Sequence, residues 1–230
     1  MKKLLFAALL FSCLGSSAWA QRISRVTSGV DVGTGFATNE FAPSLLYYQA
    51  ISPRNLPWFQ ISAGMRVWSY FGNDGSLTAP SGTSRDDVMS LSRVTAVGAN
   101  FMVGVNFHLA QRVDLGVNTD LFGIAFGKRR NALYSLGNPL TAPDSIQALN
   151  GTEIGIAPTN LNAIPALYQA NNGQTEAFLR IWVTQRVGIK LGYVVGRVAY
   201  RADNALNNGQ RRFSFGYQMP YISAAFPLYN

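Results

Sequence analysis

FQISAGMRVWSYF, residues Phe59 to Phe71, sets Phe59, Ile61, Ala63, Met65, Val67 and Phe71 at every second position, broken only by Ser69. Between them lie Gln60, Ser62, Gly64, Arg66, Trp68 and Tyr70. Successive side chains of a strand point to opposite faces, so this spacing predicts a strand with one continuous apolar face. A tilted strand of about 9–11 residues crosses a bilayer, and this stretch is long enough to do so.

The same period recurs on either side. Val97 to Leu109 sets Val97, Ala99, Phe101, Val103, Val105, Phe107 and Leu109 against Gly98, Asn100, Met102, Gly104, Asn106 and His108. Val113 to Leu121 opposes Val113, Leu115, Val117 and Leu121 to Asp114, Gly116, Asn118 and Asp120. Glu176 to Val183 and Val187 to Gly196 repeat the pattern, as does Ser24 to Phe36 less strongly. Pro43 to Ile51 is apolar but alternates poorly. Arg211 to Phe226 closes the chain with a change of parity near Pro220, which predicts a bulge there. No stretch has a helical period of useful length. Charged residues make up 13% of the chain, against about 25% in ordinary soluble domains. After residue 20 there is no long apolar run, which excludes membrane-spanning helices and leaves strands that show one face to lipid.

The fold class that follows is all-β: an eight-stranded antiparallel up-and-down transmembrane β-barrel. Taking the first strand as upward, the lower connections 52–57, 110–112 and 184–186 are short, while 72–93 and 128–173 at the upper end are long. Short turns at one end and long loops at the other are the asymmetry of outer-membrane barrels. Both termini then fall on the periplasmic side. The 128–173 segment is long for a structureless loop, and a hairpin hidden in it would raise the count to ten strands.

Residues 1–20 read as a signal peptide: Lys2 and Lys3, the apolar stretch Leu4 to Leu14, then Ala18-Trp19-Ala20 as a small-x-small cleavage site. Lipoprotein processing at Cys13 is the rival, with bulky Phe11 against it. Residues 21–230 form the single barrel domain, carrying extracellular loops at 72–93 and 128–173. Cleavage removes the one cysteine, so neither a disulfide nor a thiol site is expected. It also removes two of the 19 basic residues, leaving a net charge near +6. A basic exported chain meets anionic lipid or lipopolysaccharide phosphate more readily than nucleic acid.

Faces assigned from apolar residues alone place Arg25, Asp31, Arg66, Asp114, Asp120, Glu176, Arg180 and Lys190 on the opposite, inward side. An Arg or Lys facing mid-bilayer would cost about 2–4 kcal/mol, and an unpaired charge inside a narrow barrel is also costly, so these eight are expected to form a lumenal network. A second group is basic. Lys128, Arg129 and Arg130 follow the fifth strand, and Arg197, Arg201, Arg211 and Arg212 lie at the same level on the last two strands. The planar guanidinium fork suits phosphate, which makes these seven candidates for lipopolysaccharide binding. Aromatic girdles are expected from Trp58, Phe59, Phe107 and Phe226 at the lower interface, and from Phe36, Phe71, Phe126, Tyr200 and Phe213 at the upper.

In outline the pattern resembles the small outer-membrane barrels of the OmpA, OmpX and OmpW type. Two segments, GVNTDLFGIAFGKRR (Gly116 to Arg130) and NGTEIGIAPTNLNA (Asn150 to Ala163), are similar to the uncharacterised outer-membrane β-barrel domain proteins of Bacteroidetes. The resemblance implies a fold and a location, not a single function. It also implies recognition by the outer-membrane assembly machinery, here through Phe226 or Tyr229, although the chain continues as Pro-Leu-Tyr-Asn after Phe226.

Catalytic chemistry is poorly supplied. The one histidine, His108, has no Ser-x-His or His-x-Ser neighbour. Asp114 and Asp120 are about 20 Å apart along a strand. Asp86 and Asp87 could touch calcium but supply too few oxygens for a site and read as a solvated loop. No phosphate loop, dinucleotide fingerprint or zinc spacing is present, and neither cofactor nor metal is called for. The leading expectation is a non-enzymatic structural or surface-interaction protein with a filled polar interior. A narrow pore is the alternative, because inward Gly33, Gly35, Gly64, Gly98, Gly104, Gly116 and Gly192 leave room for water. A lipid-modifying enzyme and a soluble secreted β-sandwich are less well supported. The surface partner is not specified by the sequence.

Overall fold

The structure, a computed structural model, describes residues 26–79, 86–168 and 170–229. The signal segment, its Cys13 and Arg25 lie outside these residues. In chain order the strands are β1 (Val26–Ala37), β2 (Glu40–Ile51), β3 (Phe59–Thr78), β4 (Val88–Ala110), β5 (Val113–Phe126), β6 (Arg130–Ser135), β7 (Glu153–Pro158), β8 (Leu161–Ala163), β9 (Gly173–Trp182), β10 (Gly188–Ala202) and β11 (Arg212–Tyr229). No described helix is long and apolar enough to cross a membrane.

Eight of these strands close a ring by antiparallel pairing, in the order β1–β2–β3–β4–β5–β9–β10–β11 and back to β1. Closure leaves no edge strand. Both described ends of the chain lie at the short-turn end, where Ser28 faces Tyr229 and Val26 faces Ile51. Each strand of the ring exposes large apolar side chains outward, among them Val32, Leu45, Met65, Val97, Val117, Ile181, Leu191 and Ile222. Together they make an apolar belt, far larger than the patches a soluble protein normally shows to water.

Above the belt a second, narrower ring is stacked on the first. The β1–β2 hairpin is short, and β3 meets β11 over its tip at Thr78↔Ser214. β3 and β4 stay paired up to Thr78↔Val88. β6 pairs with β4, β7 with β6, and β10 with β7. Six strands thus form a cap. The segment 72–93, expected as a loop, is therefore largely strand among its described residues, and 128–173 carries the short strands β6, β7 and β8 between irregular stretches. The extra hairpin, β6–β7, continues the wall upward and leaves the ring at eight strands.

β6 is the continuation of β5. The pairs Val97↔Phe126 and Ser90↔Leu133 lie on one register; between them residues 127–132 make no pair with β4, and Gly127-Lys128-Arg129 lie outside any strand. On β10 the neighbour changes from β9, last paired at Arg197↔Gly173, to β7, first paired at Tyr200↔Pro158. Asn172 bridges this seam. Its Oδ1 accepts from Ala199 N–H at 2.7 Å, and its Nδ2 donates to the Thr159 carbonyl at 3.0 Å and to Asn162 Oδ1 at 3.0 Å. A buried backbone N–H left without its partner costs about 1–3 kcal/mol. Asn172→Ala is therefore expected to lower the unfolding free energy, read from the urea midpoint, by that amount, whereas exposed Asn204→Ala leaves it unchanged.

The irregularities differ in place from the one expected at Pro220. β11 alternates without a break there, since its pairing with β10 holds one register from Gly188↔Ala225 to Arg201↔Arg212. The bulges lie instead at Leu228 of β11, skipped between Ser28↔Tyr229 and Gly29↔Pro227, at Leu121 of β5, skipped between Phe101↔Phe122 and Met102↔Asp120, and at Leu109 of β4, skipped between His108↔Asp114 and Ala110↔Val113. A further swap of faces occurs at Asp74 (φ 52°) on β3, opposite Ser92 and Arg93 on β4. Below it, even-numbered residues of β3 point inward; above it, Gly75, Leu77 and Ala79 do. The cap interior is accordingly apolar: Leu77, Met89, Leu91, Tyr134, Ile154, Ile156, Val198, Tyr200 and Phe213 form one buried cluster. Tyr200 and Phe213, expected on the upper girdle, belong to this core because the parity of β10 and β11 turns them inward.

Candidate functional site

Inside the belt the charged side chains meet in a single chain of ion pairs. Asp120 (β5) lies 3.1 Å from Arg66 (β3), which lies 3.0 Å from Glu176 (β9). Lys190 (β10) sits 2.7 Å from Glu176 and 2.8 Å from Asp31 (β1). Arg180 (β9) follows at 3.6 Å from both Asp31 and Asp114 (β5). His108 Nδ1 (β4) ends the chain 2.6 Å from Asp114. All seven Asp, Glu, Arg and Lys members are buried. Charge alternates along the whole run, so each cation lies between two carboxylates. Neutral donors complete the carboxylates: Asn100 donates to Asp120 at 2.8 Å, and Trp182 Nε1 to Asp114 at 2.8 Å. Arg180 is also ringed by Tyr48, Phe178 and Trp182, each 5.3 Å from the guanidinium carbon, a cation–π arrangement. The network ties six strands together across the lumen.

The inward glycines are closely covered by protein atoms. A Cβ on Gly98 would lie 2.7 Å from the Trp68 ring, one on Gly116 2.5 Å from Phe178, and one on Gly35 2.6 Å from Met219 Sδ. Trp68, Tyr70, Tyr217 and Tyr221 stand above the ion pairs and join the apolar core of the cap. Two of the rings, Tyr70 and Tyr217, stack at 4.5 Å.

The cap anchors Asp87, which is 1% exposed. Its carboxylate accepts from Tyr134 Oη at 2.8 Å and from Gly137 N–H at 3.0 Å, so the expected solvated loop is a structural tie at this residue. Burial, reinforced by the Asp87 carboxylate, holds the Tyr134 phenol above its ordinary range. The described residues contain no group of three or more His, Cys, Asp or Glu able to hold a metal ion.

Five of the seven basic candidates divide between two recesses. Lys128 and Arg130 line a groove of about 700 Å³ together with Arg93, which sequence reasoning had left in a loop. Arg201, Arg211 and Arg212 line a smaller recess of about 350 Å³ with Ala170, Gly209 and Gln210. Arg201 and Arg212 stand directly opposite each other in the ladder, where like charges repel. Arg129 pairs with Asp203, and Arg211 donates to the Asp203 carbonyl. Arg197 points outward, half-buried, at the top of the belt.

The groove sits where β5 breaks. Freed of a strand neighbour, Thr95 on β4 is held by Tyr200, whose hydroxyl donates to its carbonyl at 2.6 Å and accepts from its N–H at 2.9 Å. Arg130 Nη2 donates to Thr95 Oγ1 at 3.1 Å. The lower rim is formed by outward Phe41, Phe71 and Val97, all exposed, and the remaining lining includes Asn39, Glu40 and Asn73.

No protein-family model and no curated protein sequence matches the chain. Among solved structures it is similar to Neisserial surface protein A, at 12% identity over 88% of this chain and 94% of that one, with a TM-score of 0.33. A major outer membrane protein from Thermus thermophilus matches at 11% identity over 89% of this chain and 100% of that one, with a TM-score of 0.40. The Ralstonia pickettii toluene transporter TbuX matches at 10% identity over 89% of this chain and 61% of its own length, with a TM-score of 0.33. The fold is defined by the strand pairing itself: this chain is a closed eight-stranded antiparallel β-barrel with a six-stranded cap.

Proposed function

We propose that the chain spans the outer membrane of a Gram-negative-type bacterium as a filled, non-conducting barrel. Its role in this reading is structural or one of surface interaction, and not enzymatic. Both termini face the periplasm and the cap stands above the outer leaflet. The observation that carries this reading is a double inversion of polarity. In the belt, charges lie inside and apolar residues outside; in the cap, apolar residues lie inside while Ser76, Thr78, Ser90 and Arg201 face out. A wall whose outer side is densely apolar over the belt and mixed above it, where Leu133 is exposed among polar residues, suits lipid at the belt and water above. The ion pairs, the rings over the glycines and the cap core fill the bore, which argues against the narrow-pore alternative. His108 is engaged by Asp114 at the lower mouth, a structural position.

Lipopolysaccharide phosphates are the proposed partners of Lys128, Arg129, Arg130, Arg197, Arg201, Arg211 and Arg212, with Arg130 reaching the groove from the inward parity of β6 and Arg201 and Arg212 gaining most from an anion between them. Assembly machinery would act on β11, where Phe226 is exposed. The similarity to Bacteroidetes barrel-domain proteins rests on the Gly116–Arg130 and Asn150–Ala163 motifs. Three measurements test the reading. The protein should fractionate with the outer membrane, shift on gels between boiled and unboiled samples, and give no conductance steps in planar bilayers. A soluble periplasmic product without the shift would remove the membrane reading, and regular unitary steps would replace the filled barrel with a pore.

A further inference from the structure

We infer that the groove over the break between β5 and β6 holds the phosphate of a membrane lipid. Arg93, Lys128 and Arg130 supply its cations, and Phe41, Phe71 and Val97 seat its acyl chain. This rests on the outer-membrane reading, because the groove then opens at the level of the lipid headgroups. Three features point to a lipid. The groove, about 700 Å³, is amphipathic in the right sense: apolar rim on the belt side, cations on the cap side. The fold also departs from regularity twice in order to make it. Pairing with β4 stops after Phe126 and resumes at Leu133 on the same register, and Gly127-Lys128-Arg129 lie outside any strand within that interval. The swap of faces at Asp74 turns both Ser92 and Arg93 outward, so that Arg93 joins the groove instead of the core. Both interruptions re-aim side chains while keeping the register. Finally, Arg130 is fixed by Thr95 through one nitrogen, while its buried Nε has no partner. A guanidinium held in this way is positioned for a phosphate oxygen. Glu40, at the opposite side of the groove, keeps it from being purely cationic.

The test uses the full barrel in dodecyl maltoside, with native mass spectrometry counting retained lipid. Dioleoyl phosphatidate is the probe, and dioleoylglycerol, which lacks the phosphate, is the control. Wild-type protein should retain one phosphatidate in preference to dioleoylglycerol. Arg93→Gln/Lys128→Gln/Arg130→Gln should reduce retention about tenfold or more, as expected for loss of charge-assisted hydrogen bonds. Equal retention of the two lipids overturns the inference, as does unchanged retention in a triple variant that still shows the heat shift. Binding of millimolar inorganic phosphate in the groove without any phosphatidate would also overturn it, because the site would then serve a soluble anion. If the triple variant does not fold, Arg93→Gln alone is expected to weaken phosphatidate retention by about threefold, and no change in that variant counts against the groove. A barrel that inserts and shifts on heating but retains no phosphatidate ends this inference alone. One that neither inserts nor shifts ends the outer-membrane reading and the inference with it.

Discussion

Lys190→Met should be among the most damaging single substitutions in the barrel, destabilising it by about 3–5 kcal/mol, the range for breaking a buried ion pair from one side. The Lys190 ammonium is the sole link between Glu176 at 2.7 Å and Asp31 at 2.8 Å in the lumenal chain. It is fully buried and lies 4.0 Å from the Phe178 ring. Methionine keeps most of the volume and removes the charge, so the loss is electrostatic and not a cavity. Glu176 then keeps only Arg66 at 3.0 Å and Asp31 only Arg180 at 3.6 Å, so four buried carboxylates share two guanidinium groups. The urea midpoint of the heat-modifiable form, followed by gel shift and by tryptophan fluorescence, measures the effect. Asp31→Asn and Glu176→Gln introduced together with Lys190→Met should recover most of the loss, because they remove the excess negative charge. A Lys190→Met barrel as stable as the wild type would mean that the ion-pair chain does not hold the wall together.

The belt was legible in the sequence and the cap was not, for one physical reason. Alternation reports two different faces but not which of them is wet. Between Phe59 and Phe71 the mid-strand charge Arg66 settled the matter, since a charge cannot face lipid cheaply. Between Gly72 and Val94 the strand charges Asp74 and Arg93 stand at the swap of faces itself, so the alternation of Leu77 and of Met89 and Leu91 was out of phase with the strands below. Arg93 was therefore left in a loop and missed as a groove residue. The only hint of it was a basic residue beside the alternating Leu91 and Val94. β2 alternates poorly because Leu46 and Tyr48 face an interior that is itself partly apolar, around Met102. The 128–173 segment concealed β6 and β7 because their register with β4 and β10 depends on partners remote in sequence. The basic run at Lys128 to Arg130 was visible as composition. What makes it a site, the interval beside Thr95 where β4 has no partner on the β5–β6 side, is a property of pairing.

Gly64→Ala should destabilise the barrel by about 1–3 kcal/mol or more, the cost of forcing extra volume into a packed interior, although it adds only a methyl group. A Cβ at Gly64 would stand 2.0 Å from the Tyr47 carbonyl oxygen and 2.7 Å from the Tyr48 Cα. Both are backbone atoms of β2, paired with β3 through Tyr48↔Gly64, so no side-chain rotation relieves the clash and the two strands must part. Inward glycines permit the tight coiling that closes a small barrel. Arg66, the next inward residue of β3, reaches Asp120 at 3.1 Å and Glu176 at 3.0 Å across the bore, and parting β2 from β3 would draw it away from both. Gly216→Ala is the matched control, since the nearest atom to its Cβ is 4.0 Å away; it should be neutral in the same urea titration. The comparison also separates the two readings of the glycines. If they lined an open pore, an alanine at position 64 would narrow the bore and leave stability untouched. If they are the places where the wall and its contents close on each other, the cost appears in stability, and there is no current for the substitution to change.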